Sequence, residues 1–390
     1  MSGGRAALAL LLAWPGPARA QSGGFIARLG TDTMQVEHFT RSGNRLQGTI
    51  VTRSPVTRIT RWSAVLTAGG TLASYRVATA NADGSPLAGG VDSAAFAWHG
   101  DSAVRTVTAG GVASQQRMAL PAGTVIGPTL PYLGVSYLMY ELGFRAARAA
   151  APDSTGTWRL PSITTLARQV SASGTRIWFV GADSAEMDYF GVARSGWRFA
   201  PNGDLLRADW SGTTYRYRVE RIAPADVERL AATWAAADAR GQRMGALSPR
   251  DSVRGTIQGV EFTIDYSRPS RRGRVIWGDV VPWDRVWRLG ADMATHVTLS
   301  APARIGGVEV ATGRYTLWLL PSAGGTAQLI VNRQVNVFGT NYDPRQDLVR
   351  IPLERGVLDP QVERLTIAVE NDRLWIRWGD ASWSVVVSRP

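Results

Sequence analysis

The stretch 260–267, VEFTIDYS, decides how the C-terminal half is read. Val260, Phe262, Ile264 and Tyr266 fall on one side of an extended chain, and Glu261, Thr263 and Asp265 on the other. That period of two is the mark of a strand with one dry face. The alternation returns at Thr295, Val297 and Leu299 against His296 and Thr298, and at Tyr315, Leu317 and Leu319 against Thr316 and Trp318. Near the end, LTIAV and LWIRW flank the turn residues Glu370-Asn371-Asp372, and Trp383 to Val387 follow Gly379. Some eight or nine strands, each with one apolar face, predict an antiparallel β-sandwich over 247–390.

Upstream, short alternating runs are separated by turn signals. TMQVEHFT and NRLQGTIVT flank Arg41-Ser42-Gly43, WSAVLT and TLASYRVATA flank Ala68-Gly69-Gly70, and GWRFA and DLLRADW flank Pro201-Asn202-Gly203. Such punctuation predicts a large antiparallel sheet over 21–222 with one face buried. The departure from strand periodicity is residues 128–150, where Tyr137, Leu138, Tyr140, Leu142 and Phe144 are too dense for a solvated loop. A helix lying across the sheet is expected there. Between the halves, Val227, Leu230, Ala231, Trp234 and Ala235 recur at helical spacing, with Asp226 and Glu228 in the first turn and Gly241 beyond the end. This predicts a linker helix and polar linker over 223–246. The fold class is therefore mainly β: an N-terminal antiparallel sheet with a covering helix, a linker helix and a C-terminal antiparallel sandwich.

Length and composition fit this division, since 390 residues exceed one typical core and 45% hydrophobic content is globular. Residues 1–20 carry Arg5, an apolar run from Ala6 to Trp14, a Pro-Gly-Pro breaker and Ala18-Arg19-Ala20. Together these predict a secretory signal peptide cleaved after Ala20, and hence a periplasmic or extracellular protein. Beyond it no run approaches the roughly 20 apolar residues of a membrane span. The chain has no cysteine, which excludes disulfides, thiol nucleophiles and cysteine-ligated metals. Its net charge of +12 rests on 43 basic residues, all arginine and scattered along the chain. A protein tracking phosphates would cluster them, so nucleic acid is not an expected partner.

Residues 247–390 contain a longer pattern. A tyrosine (Tyr266) is followed by Arg268-Pro269, Gly273-Arg274, Pro282, then Trp287-Arg288, Gly290-Ala291 and Ala294-Thr295. Gly313, Tyr315 and Leu317 follow on a strand, and Asn332-Arg333-Gln334 runs toward Tyr342-Asp343. This half resembles the bacterial family called domain of unknown function 2911. The resemblance implies an extracytoplasmic setting and carries no established activity. Asp292 stands where the family usually has asparagine and Phe338 where it usually has tryptophan. An ionised carboxylate only accepts hydrogen bonds, so Asp292 could not copy an amide that donates to a ligand. The helix-covered sheet of the first half loosely resembles the periplasmic lipoprotein-carrier architecture, in layout alone.

The chemistry the residues can support is limited. Gly134-Val135-Ser136-Tyr137-Leu138 lacks the closing glycine of a nucleophile elbow. His38, His99 and His296 are the only histidines, and His296 reads as a solvated or hydrogen-bonded strand residue. Asn341, Asp343 and Asp347 form an oxygen cluster without the glycine and terminal glutamate of a calcium loop, and read as a self-capped turn. Glu261 with Asp265, and Glu186 with Asp188, share strand faces, but spacing alone sets no sugar between them. The best candidate is the arginine- and tryptophan-rich stretch 268–297. Arg274, Trp283, Trp287 and Arg288 could grip a glycan or carboxylate, joined by Asp292, His296, Asn332 and Tyr342 as a ligand-binding set. The bland alternative puts Trp277 and Trp287 in the sandwich core, pairs Arg288 with Asp292 or Asp284, and is preferred.

The reading that results is an exported binding or scaffolding protein without a cofactor. A hydrolase of glycans or esters, and a carrier of lipid or another hydrophobic ligand, are its rivals.

Overall fold

The computed structural model describes residues 21–88, 90–121, 123–126, 134–150, 157–163, 173–189, 193–213 and 215–390. The proposed signal segment 1–20 and residues 128–133 lie outside the described residues. The chain forms two compact units, one comprising residues up to Ala27, Met34–Arg53 and Thr57–Ala237, the other Arg28–Thr33, Ser54–Val56 and Asp238–Pro390. Among the described residues no helix is long and apolar enough to cross a membrane.

The first unit is built on a fifteen-stranded sheet. Its strands from Gln21–Leu29 to Val112–Ala119 follow one another as an antiparallel meander. Gln21–Leu29 also pairs with Arg218–Ile222, from which the sheet continues backward along the chain to Thr157–Ile163, with Val125–Ile126 added in parallel at the far edge. The turn signals fall where the sequence puts them: Ser42 pairs with Arg45 across Gly43, and Phe199 with Leu205 across Pro201-Asn202-Gly203. Gly43 and Gly203 have φ of 59° and 82°, the left-handed region that glycine enters at no steric cost.

One face of this sheet carries Glu37, Phe39, Trp62, Tyr75, Val77 and Phe96, all buried. Gly48 lies on the same face because a Cβ there would come within 2.7 Å of the Trp62 indole. The helix α1, Tyr137–Ala150, is buried continuously from Tyr137 to Phe144, so its first half is enclosed on every side. Aromatic side chains make that enclosure. Tyr140 and Phe144 sit 5.2 and 4.9 Å from the Trp197 ring, Phe144 lies 5.1 Å from Phe199, and Tyr137 lies 6.0 Å from Phe25. The opposite face is partly covered by α2, Val227–Ala239, whose Val227, Ala231 and Trp234 bury against Val36, Val51 and Ile59.

Two carboxylates tie α1 to the sheet. Glu37, fully buried, accepts from the Ser136 hydroxyl and, at 3.0 Å, from the Tyr137 backbone N–H, satisfying donors at the helix start where a carboxylate also meets the positive end of the helix dipole. Glu141 accepts from Leu205 N at 2.8 Å, from Arg145 at 3.2 Å and from Arg221. Burial pushes Glu37 up to about 7, against the opposing pull of Ser136, Tyr137 N–H and Arg221. It also raises Glu141, against the pull of Arg221.

The second unit is a nine-stranded antiparallel sheet turned over on itself. Arg250–Ile257, Val260–Ser267, Thr295–Leu299, Gly313–Pro321 and Ala327–Asn332 lie side by side in that order. The next strand, Asp347–Glu370, pairs through its first seven residues with Ala327–Asn332 and through the rest with Arg373–Ser388. It therefore belongs to both layers of the sandwich, and the short hairpin Ala303–Ile305/Val308–Val310 completes the second layer beside Arg373–Ser388. Phe262, Ile264, Leu317 and Leu329 from one layer meet Ile376, Trp378, Trp383 and Ile305 from the other in a single core. The period-two expectation for VEFTIDYS is met residue by residue, with Val260, Phe262, Ile264 and Tyr266 at 1, 1, 0 and 1% exposure.

Two measurements test this packing. Trp197→Ala should lower the unfolding free energy by about 3–5 kcal/mol, the usual cost of emptying a large aromatic site, read from urea titration of fluorescence. A smaller effect than about 1 kcal/mol would mean that α1 does not depend on that ring. Glu37→Gln tests the buried carboxylate. Its folded-state value of about 7 lies above the ordinary 4.5, so the folded chain holds the proton through that window. The stability it contributes is full below pH 4.5 and is lost as pH rises through 7. The wild-type-minus-variant difference should therefore fall by on the order of 3 kcal/mol between about pH 4 and 8, and a difference flat with pH would refute the shift.

Candidate functional site

The arginine–tryptophan stretch does not form one surface. Trp277 is 7% exposed and donates from Nε1 to the Trp378 carbonyl at 3.1 Å. Trp287 stacks on Trp378 at 5.7 Å with 15° between the planes, and Trp277 meets Trp383 edge-on at 5.6 Å. Trp283 packs against the same core, and Gly278 (φ 92°) is where its indole nitrogen leaves no room for a Cβ. Arg274 turns its guanidinium onto its own turn, donating to the carbonyls of Arg271 at 2.9 Å and Ser270 at 2.6 Å. Three of the eight candidate residues, Arg274, Trp283 and Trp287, thus serve the corner of the sandwich.

The other five gather against the segment 333–346. Asn332, fully buried, donates from Nδ2 to the Asp343 carbonyl and to Asp347 Oδ1, both at 2.9 Å, and its Oδ1 accepts from Gln334 N at 2.9 Å. Gln334 donates to the Asn341 carbonyl at 3.0 Å and accepts from Asp343 N at 2.9 Å. Tyr342 donates its hydroxyl to Asp347 Oδ2 at 2.7 Å and packs on Trp318 with ring centroids 5.0 Å apart. Burial, with Asp347 beside it, pushes the Tyr342 phenol up to about 12. Asp343 caps the one-turn helix Pro344–Gln346 by accepting from Arg345 N. Of the oxygen cluster, Asp343 caps the turn as its spacing suggests, while Asp347 accepts from Asn332, Tyr342 and Arg350. Among the described residues no three metal-ligating side chains converge.

His296 departs from the solvent-facing option for a strand residue of its pattern. It is 2% exposed, because 333–346 folds over it, and its Nε2 accepts from Asn336 N at 2.8 Å. An accepting Nε2 is unprotonated, and burial with the charges of Arg314 and Arg250 lowers the histidine below its ordinary value. Asp292 lies at the edge of the same segment, exposed, with φ of 58° and its carbonyl accepting from Gly339 N at 2.8 Å. Asparagine and aspartate enter that left-handed region more readily than other non-glycine residues. The backbone, then, accounts for either residue at 292, with no ligand required. Arg288 runs beneath Gly339, whose Cβ, if it had one, would overlap the arginine Cδ.

What this clamp presents outward is unusual. Val335 and Phe338, on a segment whose backbone is pinned at Gln334, Asn336, Gly339 and Asp343, are 42 and 46% exposed. Asp292 precedes Met293, which bridges to Phe338, and the charges of Arg250, Arg314 and Asp265 act on the His296 beneath the segment. Arg314 lies 3.6 Å from Asp265, Arg250 donates to the Asp265 carbonyl at 3.2 Å, and Arg250 feels the charges of both aspartates. Sequence reasoning passed over Gln334, Asp347 and Arg250 as site residues. The spacing of Asn332, Gln334 and Tyr342-Asp343 was the signal that could have marked a folded-back segment.

Residues 248–387 match the family described as "Protein of unknown function (DUF2911)". Of the sandwich unit's main segment, Asp238–Pro390, that match leaves out ten residues at the start and three at the end. No curated protein matches the chain. Among solved structures, the chain is similar to the beta-barrel-like protein of domain of unknown function DUF1849 from Brucella abortus. The two are 10% identical, with 53% of this chain and 97% of that chain covered and a TM-score of 0.31. Within the matched region, Asn332, Gln334 and Asp343 join 333–346 to the sheet, while Arg274 and Trp287 serve the corner of the sandwich.

Asn332→Ala tests this role. Leaving Asp343 O, Asp347 and Gln334 N without their partner should cost about 1–3 kcal/mol, read from the urea midpoint at an unchanged m-value. An unaltered midpoint would mean that the segment is held by other means.

Proposed function

We propose that the protein is an exported binding protein, and that its DUF2911 unit takes a glycan without transforming it. The observation that carries this reading is the exposure of Phe338 and Val335 on a backbone fixed by side-chain hydrogen bonds. A segment held in one conformation loses little freedom when a ligand docks, which favours affinity. The Phe338 ring offers an apolar face to the C–H side of a sugar, and Asp292, exposed at the edge of the segment, offers an acceptor to its hydroxyls. His296 is spent inside as an acceptor for Asn336 N, and Tyr342 as a donor to Asp347. Both therefore support the surface from beneath and do not reach a ligand.

Export rests on the charged start, apolar run and Ala-Arg-Ala motif of residues 1–20. A chain free of cysteine gains its stability from burial, which suits either redox compartment.

Titration of the chain starting at Gln21 with oligomers of N-acetylglucosamine and peptidoglycan fragments tests the binding reading. Binding should weaken by at least about tenfold in Phe338→Ala at an unchanged melting temperature, as for an aromatic at the centre of a contact. Equal affinity in wild type and variant, or no heat of binding with any of these glycans, would remove the reading.

A further inference from the structure

The first unit carries a second surface that the sequence reading did not single out. On the α2 face of the sheet, a groove of about 440 Å³ crosses the strands from Arg45–Thr52 to Ser102–Ala109. Its floor is low because small side chains occupy the outward positions of successive strands. Ser63, Arg76, Ala95 and Thr106 form one cross-strand row and Arg61, Ala78, Ser93 and Thr108 the next. Arg61 and Arg76 are diagonal neighbours in this arrangement, a spacing of about 7–8 Å between Cβ atoms that lets two guanidinium groups converge on one anion.

The charges here are one-sided, since none of the groove's lining residues is acidic. Arg76 is exposed and makes no ion pair among the described residues. Arg61 meets Glu228 of α2 at 2.9 Å through one terminal nitrogen, in a pair whose partners are both 58% exposed. Such surface pairs hold weakly, and the guanidinium keeps further N–H donors for an acceptor in the groove. Between and beyond the arginines the lining offers the hydroxyls of Ser63, Ser93, Thr106 and Thr108 and the amide of Gln47.

The geometry points to this groove as a binding site for a sugar acid within an extended glycan, its carboxylate held between Arg61 and Arg76. The hydroxyl-bearing rows receive the neighbouring sugar hydroxyls, each side chain both donating and accepting. Carboxylate and guanidinium match as a planar bidentate pair. A single-stranded nucleic acid would need exposed rings for its bases to stack on, and the groove's one aromatic, Trp62, turns its ring to the other, buried face.

Calorimetric titration of the chain starting at Gln21 with trigalacturonate tests this assignment, with galactotriose, inorganic phosphate and a deoxythymidine decamer as the other arms. Trigalacturonate should bind and galactotriose should not. Arg76→Gln and Arg61→Gln should each weaken binding by at least tenfold without moving the melting temperature. Ala95→Trp, which fills the groove, should abolish it, and Phe338→Ala should leave it unchanged. Undiminished binding in Arg76→Gln, or tighter binding of phosphate or the decamer than of trigalacturonate, would overturn the assignment. The DUF2911 segment is read apart from this groove by the neutral N-acetylglucosamine oligomers and Phe338→Ala, so failure of either site is distinguishable from failure of the other.

Discussion

A polar side chain taken out of water costs least where it bonds to backbone, and both units use this constraint in the same way. In the first, Glu37 receives the start of α1, and Glu141 joins the same helix to Arg221 and the Leu205 N–H. In the second, Asn332 and Gln334 receive the backbone of 333–346, and His296 accepts from its Asn336 N–H. Each of these side chains thereby ties a non-strand segment to its sheet or closes it on itself. Truncating one would strand its partners, and an unsatisfied buried donor or acceptor costs more than the bond itself contributes. The constraint explains why the polar residues most suggestive of chemistry are found inside, engaged with backbone.

The aromatic packing is the counterpart of those bonds. Tyr140, Phe144, Trp197 and Phe199 close around α1, while Trp277, Trp287, Trp378 and Trp383 close the turned-over end of the sandwich. Large rings bury much area for few rotatable bonds, which suits two units that lack any disulfide. The two surfaces proposed for binding lie outside this scheme: the Phe338 tip of the pinned segment in one unit and the Arg61–Arg76 groove in the other.

Elements governed by local periodicity were legible in the sequence. VEFTIDYS, the Pro-Asn-Gly hairpin and the helical spacing of Val227, Ala231 and Trp234 each state their own burial, because one face of each meets one core. Elements covered from a distance were not. His296 alternates out of the core and looks solvent-facing, yet it is buried by a segment some forty residues later in the chain. Glu37 follows Val36 as a polar residue would on an open face, but α1 covers one side of that strand and α2 the other, so Met34 to Glu37 are all buried. The Arg-Trp stretch attracted attention by composition, and its spread between core and clamp depends on contacts as far away as Trp378 and Gly339. The groove was missed for the opposite reason. Small outward residues on neighbouring strands leave no periodic signal, and only register aligns Ser63, Ala95 and Thr106 beside Arg76.

Hydrogen exchange read by mass spectrometry on the full chain measures these pins most directly. If these side chains hold both segments, the amides of Tyr137 and of Gln334, Asn336 and Asp343 should exchange as slowly as the strands beneath them. Exchange of those amides at the rate of an open loop, with the strands still protected, would contradict the account.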